Sequence, residues 1–101
     1  MGEQIRLGVV GVGDFGMRHA LVASALPEIR VIAVADADFE RAKTAAARVG
    51  GAACREMDEM LSRHDVDAVV VATPQPCHLT DVASAVAAGV HVMVEKPVVG
   101  A

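Results

Sequence analysis

Ile5-Arg-Leu-Gly-Val-Val10 runs directly into Gly11-Val-Gly-Asp-Phe-Gly16, and an Ala-rich amphipathic stretch follows from about Phe15 to Leu26. A short apolar run, a G-x-G-x-x-G turn and a helix, in that order, form the opening of a mononucleotide-binding βαβ unit. Each glycine has a separate task. Gly11 permits the tight turn, Gly13 lets backbone approach a pyrophosphate, and Gly16 allows close helix-to-strand packing. The helix N-terminus offers unpaired N–H groups and the positive end of its dipole to the anion. Asp14 reads as a helix-start residue, and Asp14 and Phe15 are counted with the glycines as the turn that holds the cofactor. Asp36 closes the second apolar run 20 residues beyond Gly16, where a carboxylate accepts the ribose hydroxyls of adenosine. That carboxylate repels a 2′-phosphate, so NAD is favoured over NADP, although Arg41, one turn into the next helix, can swing toward such a phosphate.

Outward from this turn, short apolar runs alternate with helical stretches, the pattern of a parallel sheet covered by helices. The second strand is read over Arg30–Ala35, after Pro27 has closed the first helix. Asp38 is placed to cap a helix over Phe39–Val49 that ends at Gly50 and Gly51. A third strand follows near Ala52–Cys54, then a brief helix over Glu56–Arg63 with Met57, Met60 and Leu61 at helical spacing, and a fourth strand over Ala68–Ala72. Thr73, Pro74 and Pro76 break that strand. A helix from about His78 to Ala88 and a fifth strand over His91–Glu95 complete the series. No repeat or linker divides the 101 residues, so they read as one domain.

Composition narrows the field. The chain is 53% hydrophobic and 22% charged, with 9 basic residues against 13 acidic ones and a net charge of −4, an ordinary globular balance that argues against disorder and against a nucleic-acid footprint. The longest uncharged stretch, Val82–Val94, is too short to span a bilayer, and the N-terminus lacks the order of a secretory signal. Cys54 and Cys77 stand too far apart for a C-x-x-C pair and are read as reduced thiols. The resulting expectation is a cytoplasmic location without membrane partners.

Two further segments, Asp67-Ala-Val-Val-Val-Ala-Thr-Pro74 running on to His78, and Ala88-Gly-Val-His-Val-Met-Val-Glu95-Lys96-Pro97, together with the glycine turn, closely resemble the Gfo/Idh/MocA family of NAD(P)-dependent oxidoreductases. The resemblance covers essentially the whole chain, and Glu95-Lys96-Pro97 is its most specific element. It implies a Rossmann-type doubly wound parallel sheet and a second, sheet-containing domain that carries most substrate contacts. It also implies that Lys96 lies beside the nicotinamide and the substrate hydroxyl. There it would orient a sugar, polyol or cyclitol and stabilise developing alkoxide charge during hydride transfer, with Glu95 in support. Thr73 and Pro74 would line the cofactor groove, and His78 matches the family's Thr-Pro-Asn-x-x-His pattern, from which Gln75 departs.

The family's acid/base residues, an Asp and a His on a helix of the second domain, have no counterpart here, nor has the last Rossmann helix and strand. The expectation is therefore a fragment or a truncated product, not catalytically competent alone. Its fifth strand would be an uncovered edge that invites self-association, and full-length relatives are commonly oligomers. A non-catalytic dinucleotide sensor is the rival from another class, and a domain for S-adenosylmethionine stands third. The remaining chemistry-bearing side chains read blandly. His19 and His91 are packing or hydrogen-bonding residues, His64 is a solvated helix end, and Glu56, Asp58 and Glu59 form a solvated face. Cys54 and Cys77 lack a placed base, and no cluster has metal-ligand spacing.

Overall fold

The computed structural model describes residues 4–72 and 89–94. Within them the chain forms β1 (Ile5–Val10), α1 (Asp14–Ser24), β2 (Ile29–Ala35), α2 (Phe39–Val49), β3 (Ala52–Cys54), α3 (Met57–Arg63), β4 (Ala68–Val71) and β5 (His91–Val94). All pairings are parallel and the strand order is β3-β2-β1-β4-β5. The chain steps outward from β1 to β2 and β3, then returns to the other side of β1 with β4 and β5. The reversal lies between β1 and β4, and ligands of open α/β sheets bind outside the carboxyl ends of the strands at such a switch point.

The strands are apolar on both faces because helices cover both. Leu7, Val9, Val31, Val34 and Val70 pack under α1 and α2, with Ala20, Ala23, Ala45 and Ala46 at the contact. Val10, Ala33, Ala35, Val69 and Val71 face the other way, onto Met57 and Met60 of α3. Small alanines on α1 and α2 let both helices sit close to the sheet. The larger methionines fill the opposite side, where Met60 lies against the bare backbone of β1 at Gly8.

The sequence boundaries hold with small shifts that have local causes. α1 ends at Ser24, short of Leu26, because Ala25 serves as its C-cap ahead of the turn through Pro27. β2 begins one residue earlier, at Ile29, which pairs with Ile5. α3 starts at Met57, with Glu56 as its extended N-cap residue. β4 stops at Val71, although the Ala72 N–H still donates to the Val10 carbonyl at 2.8 Å. Asp38 caps α2 as read, its carboxylate accepting the Arg41 N–H at 3.3 Å. The helix expected over His78–Ala88 lies outside the described residues.

The amino ends of the central strands are tied by charge. Arg6 on β1 donates from its backbone N–H (2.8 Å) and its guanidinium (3.0 and 3.2 Å) to Asp67, which immediately precedes β4, and reaches Asp65 at 2.6 Å. The Arg6 side-chain hydrogen bonds hold the Asp67 carboxyl below the ordinary carboxylate range. Asp67 also accepts the His91 N–H on its carbonyl at 3.1 Å, so one residue links β1, β4 and β5. This clasp sits at the opposite end of the sheet from the glycine turn.

Candidate functional site

The site is built where β1 becomes α1. Gly11 takes φ 88°, a left-handed conformation that side chains resist, and its N–H donates to the Ala35 carbonyl at the end of β2 (2.7 Å). The turn is thereby fastened to the neighbouring strand. Gly16, in the first turn of α1, lies against the backbone of Gly11: a methyl carbon placed on it would stand 2.7 Å from the Gly11 carbonyl carbon and nearer still to its oxygen. Gly16 thus lets the helix start close over the turn, and Ala72 at the end of β4 comes within 3.6 Å of the same point.

Gly13 is different. It is the N-cap residue of α1, with φ −68° and ψ −161°, and as a glycine it supplies no side-chain cap. Among the described residues outside its own turn, the neighbour within 4 Å of where its Cβ would stand is a guanidinium nitrogen of Arg41, at 3.8 Å. The first intrahelical donor is Met17, to the Gly13 carbonyl at 2.8 Å. The backbone N–H groups of Asp14, Phe15 and Gly16 come before it, at the positive end of the helix dipole. An open glycine beside uncapped N–H groups fits a diphosphate, which needs close backbone approach and donors rather than a side chain.

Asp36 stands next to this turn. Its side chain is only 11% exposed, because Oδ2 accepts the Val12 N–H at 2.9 Å and Oδ1 accepts the Asp38 N–H at 2.8 Å. The carboxylate therefore joins the glycine turn to the β2–α2 turn. Each of its oxygens has a second lone pair left for a ribose hydroxyl. Arg41 reaches toward it from α2, with Nη1 3.8 Å from Asp36 Oδ2 and Nη2 3.9 Å from Asp38 Oδ2.

Beside Gly13 the two helices leave an open groove of about 480 Å³ lined by Val12, Gly13, Met17, Arg41, Thr44 and Arg48. The structure thus brings Gly11, Gly13, Gly16 and Asp36 together, with the backbone of Asp14 and Phe15 at the helix start. Thr73, Pro74, His78, Glu95 and Lys96 lie outside the described residues. Two features escaped the sequence reading: the clamp of Asp36 on the Val12 N–H, and the groove beyond Arg41. The second left a signal, since positions 41, 44 and 48 share one helical face.

Cys54 borders this region through its backbone, its carbonyl accepting the Asp36 N–H at 3.2 Å. Cys54 is buried at the end of β3 and burial pushes its thiol pKa up, which makes it a poor nucleophile. Among the described residues no group of three or more His, Cys, Asp or Glu is placed to hold a metal ion, and no helix is long and apolar enough to cross a membrane.

Comparison with known proteins agrees with this geometry. Residues 5–100 match the family model described as an oxidoreductase family with an NAD-binding Rossmann fold. A dTDP-3,4-didehydro-2,6-dideoxy-alpha-D-glucose 3-reductase of Actinomadura kijaniata is 42% identical over 94 residues, 92% of this chain and 28% of that protein. The crystal structure of scyllo-inositol dehydrogenase from Lactobacillus casei with NAD(H) and scyllo-inositol superposes with a TM-score of 0.85 at 30% identity, over 94% of this chain and 28% of that one. A 3-ketoreductase of Actinomadura kijaniata in complex with NADP gives a TM-score of 0.81 at 38% identity, over 94% and 31% respectively. The chain thus spans about 28% of the length of the curated relative it matches. With the family model covering nearly all of its residues and the glycine turn, switch point and acidic strand end in place, the chain belongs to the Gfo/Idh/MocA oxidoreductase family and carries its dinucleotide-binding Rossmann fold.

Proposed function

We propose that this chain binds NAD and serves as the cofactor-holding part of an oxidoreductase that moves hydride between the nicotinamide and a secondary alcohol of a sugar, cyclitol or related compound. The observation that carries this reading is the uncapped start of α1 at Gly13, open on its outer side, with Asp36 fixed beside it. The first-turn N–H groups would hold the diphosphate and Asp36 would accept the ribose hydroxyls, with its carboxylate favouring NAD over NADP. When bound, the nicotinamide supplies the hydride chemistry.

Lys96 is the residue proposed to meet the substrate, donating to its reacting oxygen and offsetting negative charge there. Glu95 supports Lys96, while Thr73, Pro74 and His78 line the cofactor groove beyond β4. Residues 1–101 form one dinucleotide-binding domain in this reading, and substrate contacts come from a further domain, as the greater length of the relatives supports. A cytoplasmic location and homo-oligomer formation complete the proposal.

Thermal unfolding with added ligand tests it. A ligand that binds only the folded state stabilises it by about 2.7 kcal/mol at a hundredfold excess over Kd. NADH should raise the midpoint and S-adenosylmethionine should leave it unchanged; the reverse order would overturn the assignment.

A further inference from the structure

We propose that Asp36 is a positioning residue for the diphosphate: its carboxylate holds the glycine turn in the shape that a diphosphate meets, and so couples the two ends of the site through one side chain. This rests on the dinucleotide reading above and deepens it.

The turn is tethered at three successive residues, and the middle tether is a side chain. The Gly11 N–H donates to the Ala35 carbonyl at 2.7 Å and the Gly13 carbonyl accepts the Met17 N–H at 2.8 Å, so the two ends are fixed by β2 and by α1. Between them the Val12 N–H donates to Asp36 Oδ2 at 2.9 Å. Val12 has a glycine on either side, and without Cβ atoms those neighbours allow the chain a wide range of rotation. A residue between two glycines keeps one orientation when something holds it, and here the carboxylate does so. Gly13, the next residue, is open on its outer side toward Arg41, so a swing of Val12 would alter the surface that a diphosphate approaches.

Asp36 suits this task because its own orientation is set from elsewhere in the fold. Its N–H donates to the Cys54 carbonyl at 3.2 Å and its Oδ1 accepts the Asp38 N–H at 2.8 Å. The side chain is 11% exposed. Its place is thus fixed by β3 on one side and by the β2–α2 turn on the other, and is passed to Val12, 24 positions earlier in the chain. A turn already held in its binding shape spares the cost of ordering it when a ligand arrives.

Charge gives the proposal a distinctive sign. A carboxylate beside a diphosphate repels it, so on charge alone the removal of Asp36 should tighten diphosphate binding. Positioning predicts the opposite.

The test uses 2′,3′-dideoxy-ADP, which keeps the diphosphate and lacks both ribose hydroxyls, and compares it with ADP by calorimetric titration. The inference predicts that Asp36→Ala binds dideoxy-ADP about tenfold more weakly than the parent, the order expected when one residue of backbone must be fixed at binding. Asp36→Asn, whose amide brings one acceptor oxygen to two N–H groups, should lose roughly threefold, and it serves as the readout if the alanine variant does not fold. Asp67→Asn, altered at the opposite end of the sheet, should stay within roughly twofold of the parent, which separates positioning from general loosening of the fold. Dideoxy-ADP binding that is unchanged or tightened in the folded Asp36 variants, or weakened equally in Asp67→Asn, would overturn the inference while ADP and NADH binding to the parent stands. If a folded parent chain binds neither NADH nor ADP, the dinucleotide reading falls and this inference falls with it.

Discussion

Replacing Gly16 by alanine should damage the fold, whereas the same change at Gly13 should chiefly damage binding. The Gly16 methyl would stand 2.7 Å from the Gly11 carbonyl carbon and nearer still to its oxygen, against about 3.5 Å for a relaxed carbon contact, so something must move by more than about 0.8 Å. Neither side yields easily. Gly11 is held by its N–H bond to Ala35 at 2.7 Å and by its left-handed conformation. α1 is anchored by Ala20 and Ala23 in the core. Overpacking costs about 1–3 kcal/mol, and a clash between two backbones belongs at the upper end, about 3 kcal/mol. For a domain near 100 residues each kcal/mol lowers the melting temperature by about 4–8 °C, so Gly16→Ala should melt about 12–24 °C lower. At Gly13 the backbone suits alanine and, among the described residues, Arg41 is the neighbour beyond the helix itself, so Gly13→Ala should lose about 1 kcal/mol or less of stability, the difference between glycine and alanine as an N-cap, while losing affinity for NADH. Thermal and urea unfolding followed by circular dichroism measure both. A Gly16→Ala midpoint within about 3 °C of the parent, or equal losses in the two variants, would refute the assignment of separate structural and ligand-facing glycines.

Asp36→Ala removes the acceptor of the buried Val12 N–H and should cost about 1–3 kcal/mol in urea unfolding besides weakening NADH binding; unchanged stability would show that the clamp contributes nothing. The Asp67 carboxyl, held low first by the Arg6 side-chain hydrogen bond, should stabilise the fold fully above the ordinary Asp pKa. That contribution is lost as pH falls through the lower folded-state value, so acid titration of stability should be shallower in Asp67→Asn, and identical profiles would count against the clasp. Cys54, buried with its pKa raised first by desolvation, should resist iodoacetamide in the native protein and react once unfolded, as peptide-resolved mass spectrometry would read. Native labelling at the unfolded rate would contradict its burial.

Most of the fold was legible because the signals are local and mutually consistent. The apolar runs of β1, β2 and β4, the Asp38 cap and the Gly50 stop each fix one element. The glycine turn fixes how the first two strands relate. The clasp of Arg6 with Asp67 was not legible, since it depends on β1 lying beside β4 across 61 positions of chain. In the site, the glycines and Asp36 were visible as a motif, but their division of labour was not. Spacing alone does not say that Gly16 is pressed on Gly11 while Gly13 faces outward, nor that Asp36 spends a lone pair from each oxygen on backbone. Arg41 was visible as a nearby cation; its place between Asp36 and the groove required the packing of α2 against α1.

The central claim is that the β1–α1 turn is a working dinucleotide site, and calorimetric titration of NADH into the chain and into Gly13→Val tests it most directly. Saturable one-site binding to the parent is predicted, and at least tenfold weaker binding to a variant that still unfolds cooperatively, about 4–8 °C lower for the poorer N-cap, because a branched side chain would occupy the space a diphosphate needs. A folded parent chain that fails to bind NADH, or a valine variant that binds it equally well, would contradict it.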